Sequence, residues 1–231
     1  YHNSHGYQTL HKCLNCSICF KKKFILKKFF KTEKYFLSQK NNSTNYKRAI
    51  LIKDIIFKNK KNLKSMNILD IGCNDLKIYN LLKKDNYNFK YYGLDINIKK
   101  RKTKNLEVIN SSIDKLNAKK FTNFFDIVII SHTLNYFQNL SKNLNKIHTM
   151  TKENKKVYVI LPDINKNPLY MLMDDQKYFI SKIDIKNICK KFNFDYANEL
   201  RSKKKININS KLFFGREVFI SMKKKNKNSI F

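Results

Sequence analysis

Short apolar runs alternate with amphipathic stretches from residue 67 onward. Runs rich in β-branched and aromatic residues predict buried strands, and their alternation with helical stretches predicts a parallel sheet covered by helices. The predicted strands are 67–71, 91–96, 106–109, 125–130, 156–161, 194–200 and 217–222. The last two follow a helical segment at about 182–192 and are expected to pair antiparallel. The pattern therefore predicts an α/β fold with a seven-stranded, mostly parallel sheet and helices on both faces.

Composition divides the chain into four regions. A Cys- and His-bearing segment covers 1–20, a basic helical region 21–64, the strand and helix body 65–222, and a Lys/Asn-rich stretch 223–231 that is expected to be a disordered tail. A length of 231 residues suits one α/β domain with a short appendage. The hydrophobic fraction of 42%, with only 4 Gly and 2 Pro, argues against a disordered chain.

The targeting signals that can be read from sequence favour a cytoplasmic protein. No apolar run reaches the roughly 18 residues needed to span a bilayer, and the start lacks the layout of a signal peptide. We therefore expect no membrane partner. The oligomeric state does not follow from the sequence.

The chain carries 49 Lys and Arg against 17 Asp and Glu, a formal net charge of +32. Such an excess is typical of proteins that bind nucleic acid. The cations are almost all Lys, dispersed among many Asn, Ile, Phe and Tyr, as codon bias in an AT-rich genome would produce. Arg, which suits bidentate phosphate contacts, is scarce. Codon bias is the favoured explanation, and nucleic acid stays open as a partner.

Residues 67–84 combine a strand, a polar turn and a helix. Gly72 in the turn lets the backbone approach a ligand, and the free N–H groups at the helix start favour polar or anionic groups. Asp75 is placed to cap the helix. Asp95 ends the second strand, where a carboxylate can accept both ribose hydroxyls of a nucleoside. These residues predict a nucleoside-binding edge of the sheet.

The same residues resemble the class I S-adenosylmethionine-dependent methyltransferases, whose motifs are L-D-x-G-C-G-x-G and, on the second strand, G-x-D. The matching segments are Leu69-Asp70-Ile71-Gly72-Cys73-Asn74-Asp75-Leu76 and Gly93-Leu94-Asp95. Segments 125–134 and 157–163 resemble the family's fourth and fifth strands. The resemblance implies a Rossmann-like fold, S-adenosylmethionine as cofactor and methyl transfer by direct displacement. Its implied cofactor contacts are Asp70 and Gly72 at the methionine end, Asn74 in the loop, Asp95 at the ribose, and Ser112 and Ile113 beside the adenine.

Two positions depart from the first motif. Asn74 replaces the second glycine, a mild change because Asn tolerates left-handed backbone angles. Leu76 replaces the third glycine, so the loop shifts, or Leu76 packs under the sheet, or cofactor affinity falls. Leu76 also breaks the G-x-G-x-x-G pattern of NAD-dependent enzymes. A domain that has lost its cofactor stays an alternative, because fold alone does not establish function.

Cys13, Cys16 and Cys19 are spaced three apart, and disulfides are uncommon in cytosolic chains. The segment 7–20 resembles the second half of the small zinc ribbon that precedes some sugar and natural-product methyltransferases. The resemblance makes Cys13 and Cys16 candidate zinc ligands in a longer chain that carries an upstream knuckle, since a structural site needs four ligands. Free or packed cysteines are the alternative.

Segment 174–181 resembles the D-H-x-x-x-F-[ST] segment that lies over the substrate pocket in that group, with Gln176 in place of the His. This likeness points to a small, sugar-linked acceptor. Asp163, Asp175 and His132 are expected near the methyl-transfer end, where His132 either acts as general base or shapes the pocket.

The resulting prediction is S-adenosylmethionine-dependent methyl transfer to a small molecule. One rival is a tRNA or rRNA methyltransferase that uses the basic, aromatic-bearing stretch 21–61 to hold RNA. The other is a non-catalytic protein on a degenerate methyltransferase fold.

Overall fold

A computed structural model describes residues 9–14, 16–22, 43–57, 65–85, 88–166, 168–172, 176–199 and 217–225. The strands within these ranges are β1 Leu10–Lys12, β2 Cys19–Lys21, β3 Met66–Ile71, β4 Phe89–Asp95, β5 Arg101–Lys102, β6 Leu106–Asn110, β7 Phe125–Ser131, β8 Thr151–Pro162, β9 Tyr178–Phe179, β10 Phe194–Glu199 and β11 Glu217–Lys224. The α-helices are α1 Ser43–Phe57, α2 Lys77–Lys84, α3 Leu140–Met150 and α4 Lys182–Lys191. Short 3-10 helices lie at Ala118–Phe121, Leu134–Tyr136 and Pro168–Leu172.

Eight strands form the main sheet in the order β10-β11-β8-β7-β3-β4-β6-β5. The five central strands are parallel, whereas β11 runs antiparallel to both β8 and β10. This Rossmann-like, mostly parallel α/β sheet confirms the predicted fold class. The predicted count of seven strands is one too few, because β5 is a two-residue edge strand that is too short to produce a hydrophobic pattern.

Helices cover both faces of this sheet. Buried residues of α3 and α4 join a core cluster with Leu69 and Ile71, while those of α1 and α2 join a second cluster with Ile68 and Tyr91. Ile68 and Leu69 belong to different clusters because successive strand residues point to opposite faces. The central strands are therefore buried on both sides, which explains why their sequences are almost continuously apolar.

A second, three-stranded sheet has the order β1-β2-β9. Cys19 faces Phe179 and Phe20 faces Tyr178 across its β2-β9 pair. The cysteine-bearing start of the chain is thus joined to the segment that immediately precedes α4. That helix begins with a capping box, in which Ser181 Oγ accepts the Asp184 N–H and Asp184 Oδ2 accepts the Ser181 N–H.

Two of the predicted boundaries can be compared with the elements. Within the basic region 21–64, residues 43–57 form α1, whereas 23–42 and 58–64 lie outside the described residues. The predicted tail begins two residues too early, because β11 continues through Lys224. The buried Lys224 ammonium donates hydrogen bonds to Asn123 Oδ1 at 2.7 Å and to the Thr151 carbonyl at 2.9 Å. Residues 226–231 lie outside the described part of the chain.

Candidate functional site

The carboxyl ends of β3, β4 and β6 meet at one edge of the sheet. Their register pairs Asp70 with Gly93 and Asp95 with Asn110, and the Ser111 N–H donates to the Asp95 carbonyl at 3.0 Å. Three neighbouring parallel strands therefore bring the loops after β3, β4 and β6 together. The predicted cofactor residues, which are spread over 44 positions from Asp70 to Ile113, lie in and around these loops.

Gly72 begins the loop after β3 with a φ of 80°. Its N–H donates to the Leu94 carbonyl at 2.7 Å, and a Cβ on this residue would lie 1.9 Å from Thr133 Oγ1. Only glycine fits here, because the loop after β7 approaches so closely and because the backbone angle disfavours a side chain. Thr133, which the sequence did not single out, thus packs against the predicted cofactor loop.

The Asp95 carboxylate is held by the backbone on both oxygens. Oδ2 accepts the Asn74 N–H and Oδ1 accepts the Asn97 N–H, each at 2.9 Å. Burial raises the pKa of Asp95, while these N–H groups oppose the rise. Asn74 itself has a left-handed φ of 47°. Asn tolerates this conformation, which is why it can replace the glycine of the motif. Asp95 thus fixes the loop after β3, and its carboxylate keeps lone pairs for further donors.

Leu76 keeps a backbone conformation typical of glycine while its side chain packs into the core. Its φ is 62°, it is 1% exposed, and it belongs to the cluster formed with α1 and α2. A Cβ on Gly93 would lie 2.9 Å from Leu76 Cδ2 and 2.8 Å from Cys73 Sγ. Of the three alternatives drawn from sequence, the structure has Leu76 packed into the core beside β4. The missing side chain at Gly93 provides the space.

Asp70 is buried beneath the loop, where the Tyr91 hydroxyl donates to its Oδ2 at 2.5 Å. Burial raises the pKa of Asp70 to about 7, although the Tyr91 hydrogen bond opposes the rise and the carboxylates of Asp95 and Asp75 add to it. Asp70 therefore lies in the core beside Tyr91, at the base of the predicted cofactor edge.

Ser112 and Ile113 lie in the turn after β6. The Ser112 carbonyl accepts the N–H groups of Lys115 and Leu116, each at 3.1 Å. Ser112 is half-buried, whereas Ile113 is buried in the cluster beneath α3 and α4. The turn directly follows the β6 residue that pairs with Asp95, and its contact with adenine stays a prediction.

His132 follows β7 and contacts two residues from distant parts of the chain. Its Nε2 lies 3.0 Å from Glu217 Oε1 at the start of β11. Arg48 of α1 contacts the same oxygen, with Nε and Nη2 each at 2.6 Å. Glu217 faces Pro162, the last residue of β8, so this group lies at the carboxyl edge of β7 and β8. Sequence reasoning missed Glu217 and Arg48, because neither lies in a motif.

The charges in this group determine its protonation. Burial alone would raise the pKa of Glu217, but the contacts with His132 and Arg48 outweigh it and lower that pKa to about 2. Burial and the Arg48 charge lower the pKa of His132, with Glu217 opposing them. A neutral imidazole beside a carboxylate must donate from Nε2, since an ionised carboxylate only accepts. Nδ1 is then the ring's acceptor.

The other polar groups expected near this end are only partly described. Asp163 directly follows β8 and lies 3.7 Å from the Lys166 ammonium. Asp175 lies outside the described residues. Gln176 is buried, and its Oε1 accepts a hydrogen bond from Asn135 Nδ2 at 2.8 Å. This bond ties the segment before α4 to the loop after β7.

The predicted metal ligands Cys13 and Cys16 lie in the turn between β1 and β2. The Cys13 N–H donates to the Ile18 carbonyl at 3.0 Å, the Ser17 N–H donates to the Cys13 carbonyl at 2.8 Å, and the two thiols are hydrogen bonded. Burial raises the pKa of Cys16. In the part of the chain that the structure describes, no group of three His, Cys, Asp or Glu could hold a metal ion. Zinc binding by these cysteines stays a prediction, and it needs ligands beyond Cys13 and Cys16.

Known proteins share both the sequence pattern and the fold. The family model described as "Methyltransferase domain" matches residues 44–199, which is more than half of the chain. The chain belongs to the methyltransferase family. It is an S-adenosylmethionine-dependent enzyme, as the class I motifs implied. No curated protein matches this methyltransferase.

Several solved structures resemble the methyltransferase in fold. A SAM-dependent methyltransferase from Archaeoglobus fulgidus is 20% identical, with a TM-score of 0.59 over 84% of this chain and 100% of that one. The 1,6-didemethyltoxoflavin-N1-methyltransferase of Burkholderia thailandensis, solved with S-adenosylhomocysteine, is 8% identical, with a TM-score of 0.59 over 94% and 99%. A SAM-dependent methyltransferase from Methanosarcina mazei is 14% identical, with a TM-score of 0.54 over 70% and 93%. At these identities the likeness is one of fold.

The helices can also be compared with the length and hydropathy of a membrane span. None of the helices seen in them combines the length and the apolar character needed to cross a bilayer.

Proposed function

We propose that the methyltransferase transfers a methyl group to a hydroxyl or amine of a small, sugar-linked molecule. The observation that carries this proposal is the group of His132, Glu217 and Arg48 at the carboxyl edge, next to the Thr133 and Gly72 contact. It provides a proton acceptor beside the predicted cofactor loop. The Burkholderia thailandensis structure, which holds 1,6-didemethyltoxoflavin, gives an example of a small acceptor on the same fold.

The residues at the sheet edge fit S-adenosylmethionine. Gly72 leaves the loop without a side chain, and the Leu76 side chain is inside the core rather than above the loop. Asp95 would accept the ribose hydroxyls and the turn at Ser112 and Ile113 would flank the adenine. Bound there, the cofactor supplies a methyl group on a positively charged sulfur. Holding and orienting the two reactants at this edge would then supply much of the acceleration of the displacement.

His132 would take the proton of the acceptor. Its neutral form and its Nε2 hydrogen bond to Glu217 leave Nδ1 with a free lone pair. The side chain is 23% exposed. A cytoplasmic location stays a prediction that this proposal does not require.

Two measurements on one preparation test the proposal. Calorimetry with S-adenosylmethionine and S-adenosylhomocysteine should show binding of both to a single site. Transfer from S-adenosylmethionine labelled in its methyl group should then be measured against a panel of small hydroxylated, amino and sugar-linked acceptors, with bulk tRNA as the comparison. Incorporation into a small acceptor supports the proposal, whereas incorporation into tRNA alone excludes it. No binding of either cofactor form would favour a degenerate fold.

A further inference from the structure

The contact between His132, Glu217 and Arg48 uses only one oxygen of the carboxylate. Glu217 Oε1 contacts both His132 and Arg48. Oε2 is buried, and no described residue donates a hydrogen bond to it. The Glu217 side chain is only 10% exposed. Leaving a buried carboxylate oxygen without a donor is costly, and such groups call for a reason beyond packing.

His132 itself has a strained backbone. Its φ of 51° is left-handed, a conformation that residues other than glycine adopt rarely. The next residue, Thr133, is the one that packs against Gly72. Strain of this kind persists where the surrounding structure holds it, and it is concentrated at active sites. The strain lies where the loop after β7 meets the predicted cofactor loop.

The donors and acceptors of the group fix the form of the imidazole. The Glu217 carboxylate can only accept, so Nε2 carries the ring proton and Nδ1 carries the lone pair. Among the described residues, none forms a hydrogen bond with Nδ1. The Arg48 guanidinium contacts the same carboxylate oxygen and therefore favours the ionised form of Glu217.

We infer that Glu217 is a positioning residue for methyl transfer, which holds His132 with Nδ1 ready to accept a proton, and that Arg48 holds Glu217 in place. This inference rests on the proposed function. The acceptor's oxygen or nitrogen bonds to the methyl carbon as the carbon–sulfur bond breaks, sulfur keeps the electron pair, and the acceptor's proton passes to Nδ1. The resulting imidazolium lies beside the Glu217 carboxylate, which stabilises it.

The groups that face His132 shift its protonation in opposite directions. They are Glu217 of β11, which raises the pKa of His132, and Arg48 of α1, which lowers it along with burial. Tyr170 of the 168–172 helix lies near both charges, and burial raises its own pKa. Glu217→Gln should therefore move the His132 titration to lower pH, and Arg48→Gln should move it to higher pH.

Nitrogen NMR of protein labelled with ¹⁵N-histidine measures the tautomer and the titration of His132. Spectra are recorded on the free protein and with saturating S-adenosylhomocysteine as the probe. His132→Asn identifies the signal among the five histidines. We expect the Nε2–H tautomer in the parent, opposite pH shifts in Glu217→Gln and Arg48→Gln, and no shift in the control Lys53→Gln, which removes another ion pair of the same helix. Thermal unfolding monitors the fold, and Glu217→Asp replaces Glu217→Gln if the latter does not fold.

Methyl transfer by the same preparations separates a positioning role from a structural one. Glu217→Gln should lower kcat on the order of 10-fold or more and move the acidic limb of its pH profile as it moves the NMR titration. An Nδ1–H tautomer, or a titration that neither variant moves, overturns the inference whether or not the parent is active. The expected NMR shifts with an unchanged kcat also overturn it, while the proposed function stands. The tautomer can be measured on the free protein, so failure to bind S-adenosylhomocysteine counts against the proposed function alone.

Discussion

Leu76 occupies a glycine position without blocking the loop, since its side chain is buried in the core beside Gly93. Left-handed backbone angles cost a residue with a Cβ roughly 1 to 2 kcal/mol. The burial of the leucine side chain offsets that cost. Substitution of Leu76 by Ala and by Gly separates the backbone strain from the packing of the side chain.

We predict that Leu76→Ala lowers the free energy of unfolding by about 2 to 5 kcal/mol, because it leaves a cavity and keeps the strained angle. Leu76→Gly should be about 1 kcal/mol more stable than Leu76→Ala, because glycine relieves the strain. Urea denaturation measures both. Calorimetry should show no tighter S-adenosylhomocysteine binding in Leu76→Gly, and a gain in affinity would mean that the leucine crowds the ligand after all.

Asp70 makes the stability of the fold depend on pH. Its pKa is about 7 in the fold, against an ordinary value of 3.8, because burial disfavours the charged form. The folded state therefore binds more protons than the unfolded state between these values, and the contribution of Asp70 to stability is lost as the pH rises from about 4 to about 7. The full difference is on the order of 4 kcal/mol.

Asp70→Asn removes this titration and keeps an oxygen that can accept the Tyr91 hydroxyl. The stability of the variant relative to the parent should thus rise with pH across that window, whatever the constant cost of the amide. Urea unfolding of both proteins at several pH values between 4 and 8 measures the difference. A difference that does not change with pH would contradict the raised pKa.

Asp95 holds the loop after β3 and is also predicted to bind the ribose of the cofactor. We expect Asp95→Ala to weaken S-adenosylhomocysteine binding by about 1 to 3 kcal/mol, because two hydroxyl hydrogen bonds to a partly buried carboxylate are lost and the Asn74 and Asn97 N–H groups are released. Asp85→Ala, which removes a carboxylate paired with Lys53, is the control. Calorimetry should show unchanged affinity in the control, and equal affinity in all three proteins would remove Asp95 from the site.

At the scale of elements, the β1-β2 turn carries two candidate zinc ligands. It brings together the thiols of Cys13 and Cys16, and the three-stranded sheet with β9 fixes it next to α4. A structural zinc site commonly uses four ligands, so these two thiols would need two more.

We predict that the chain of 231 residues retains little zinc, whereas a longer chain carrying a second C-x-x-C knuckle retains one zinc per molecule. Elemental analysis after dialysis decides this, with the double substitution of Cys13 and Cys16 by Ser as control. Zinc that is equally low in the short and long chains would show that these cysteines are not ligands.

At the scale of the whole molecule, the net charge of +32 affects every binding measurement. Lysine-rich surfaces bind polyanions without selectivity, and such binding falls steeply with salt. RNA binding by itself therefore does not identify RNA as the substrate.

We expect tRNA affinity to fall by about 10³-fold between 50 and 200 mM salt, as non-specific phosphate contacts do. Methyl transfer to a small acceptor should change little over the same range, because the proposed site does not depend on contacts with a polyanion. Fluorescence anisotropy with labelled tRNA and the transfer assay, run on the same salt series, provide the comparison. Salt-resistant tRNA binding with methyl incorporation would instead support the RNA methyltransferase.

The strand pattern was enough to predict the sheet, its parallel centre and the antiparallel pair β10-β11, whereas the cofactor residues read from the L-D-x-G and G-x-D segments stay a prediction. These features follow from local patterns, because a buried strand and a glycine turn each have a recognisable sequence of their own. The missed strand β5 is too short for such a pattern.

Only the tertiary structure determined where Leu76 packs and what surrounds His132. Leu76 depends on the space at Gly93 on the neighbouring strand, and no local pattern reports that space. His132 is 85 residues from Glu217, and Arg48 is 169 residues from it. The three meet because β11 returns antiparallel beside β8 while α1 packs over the same edge, and contacts so distant in the chain arise from topology rather than from any segment.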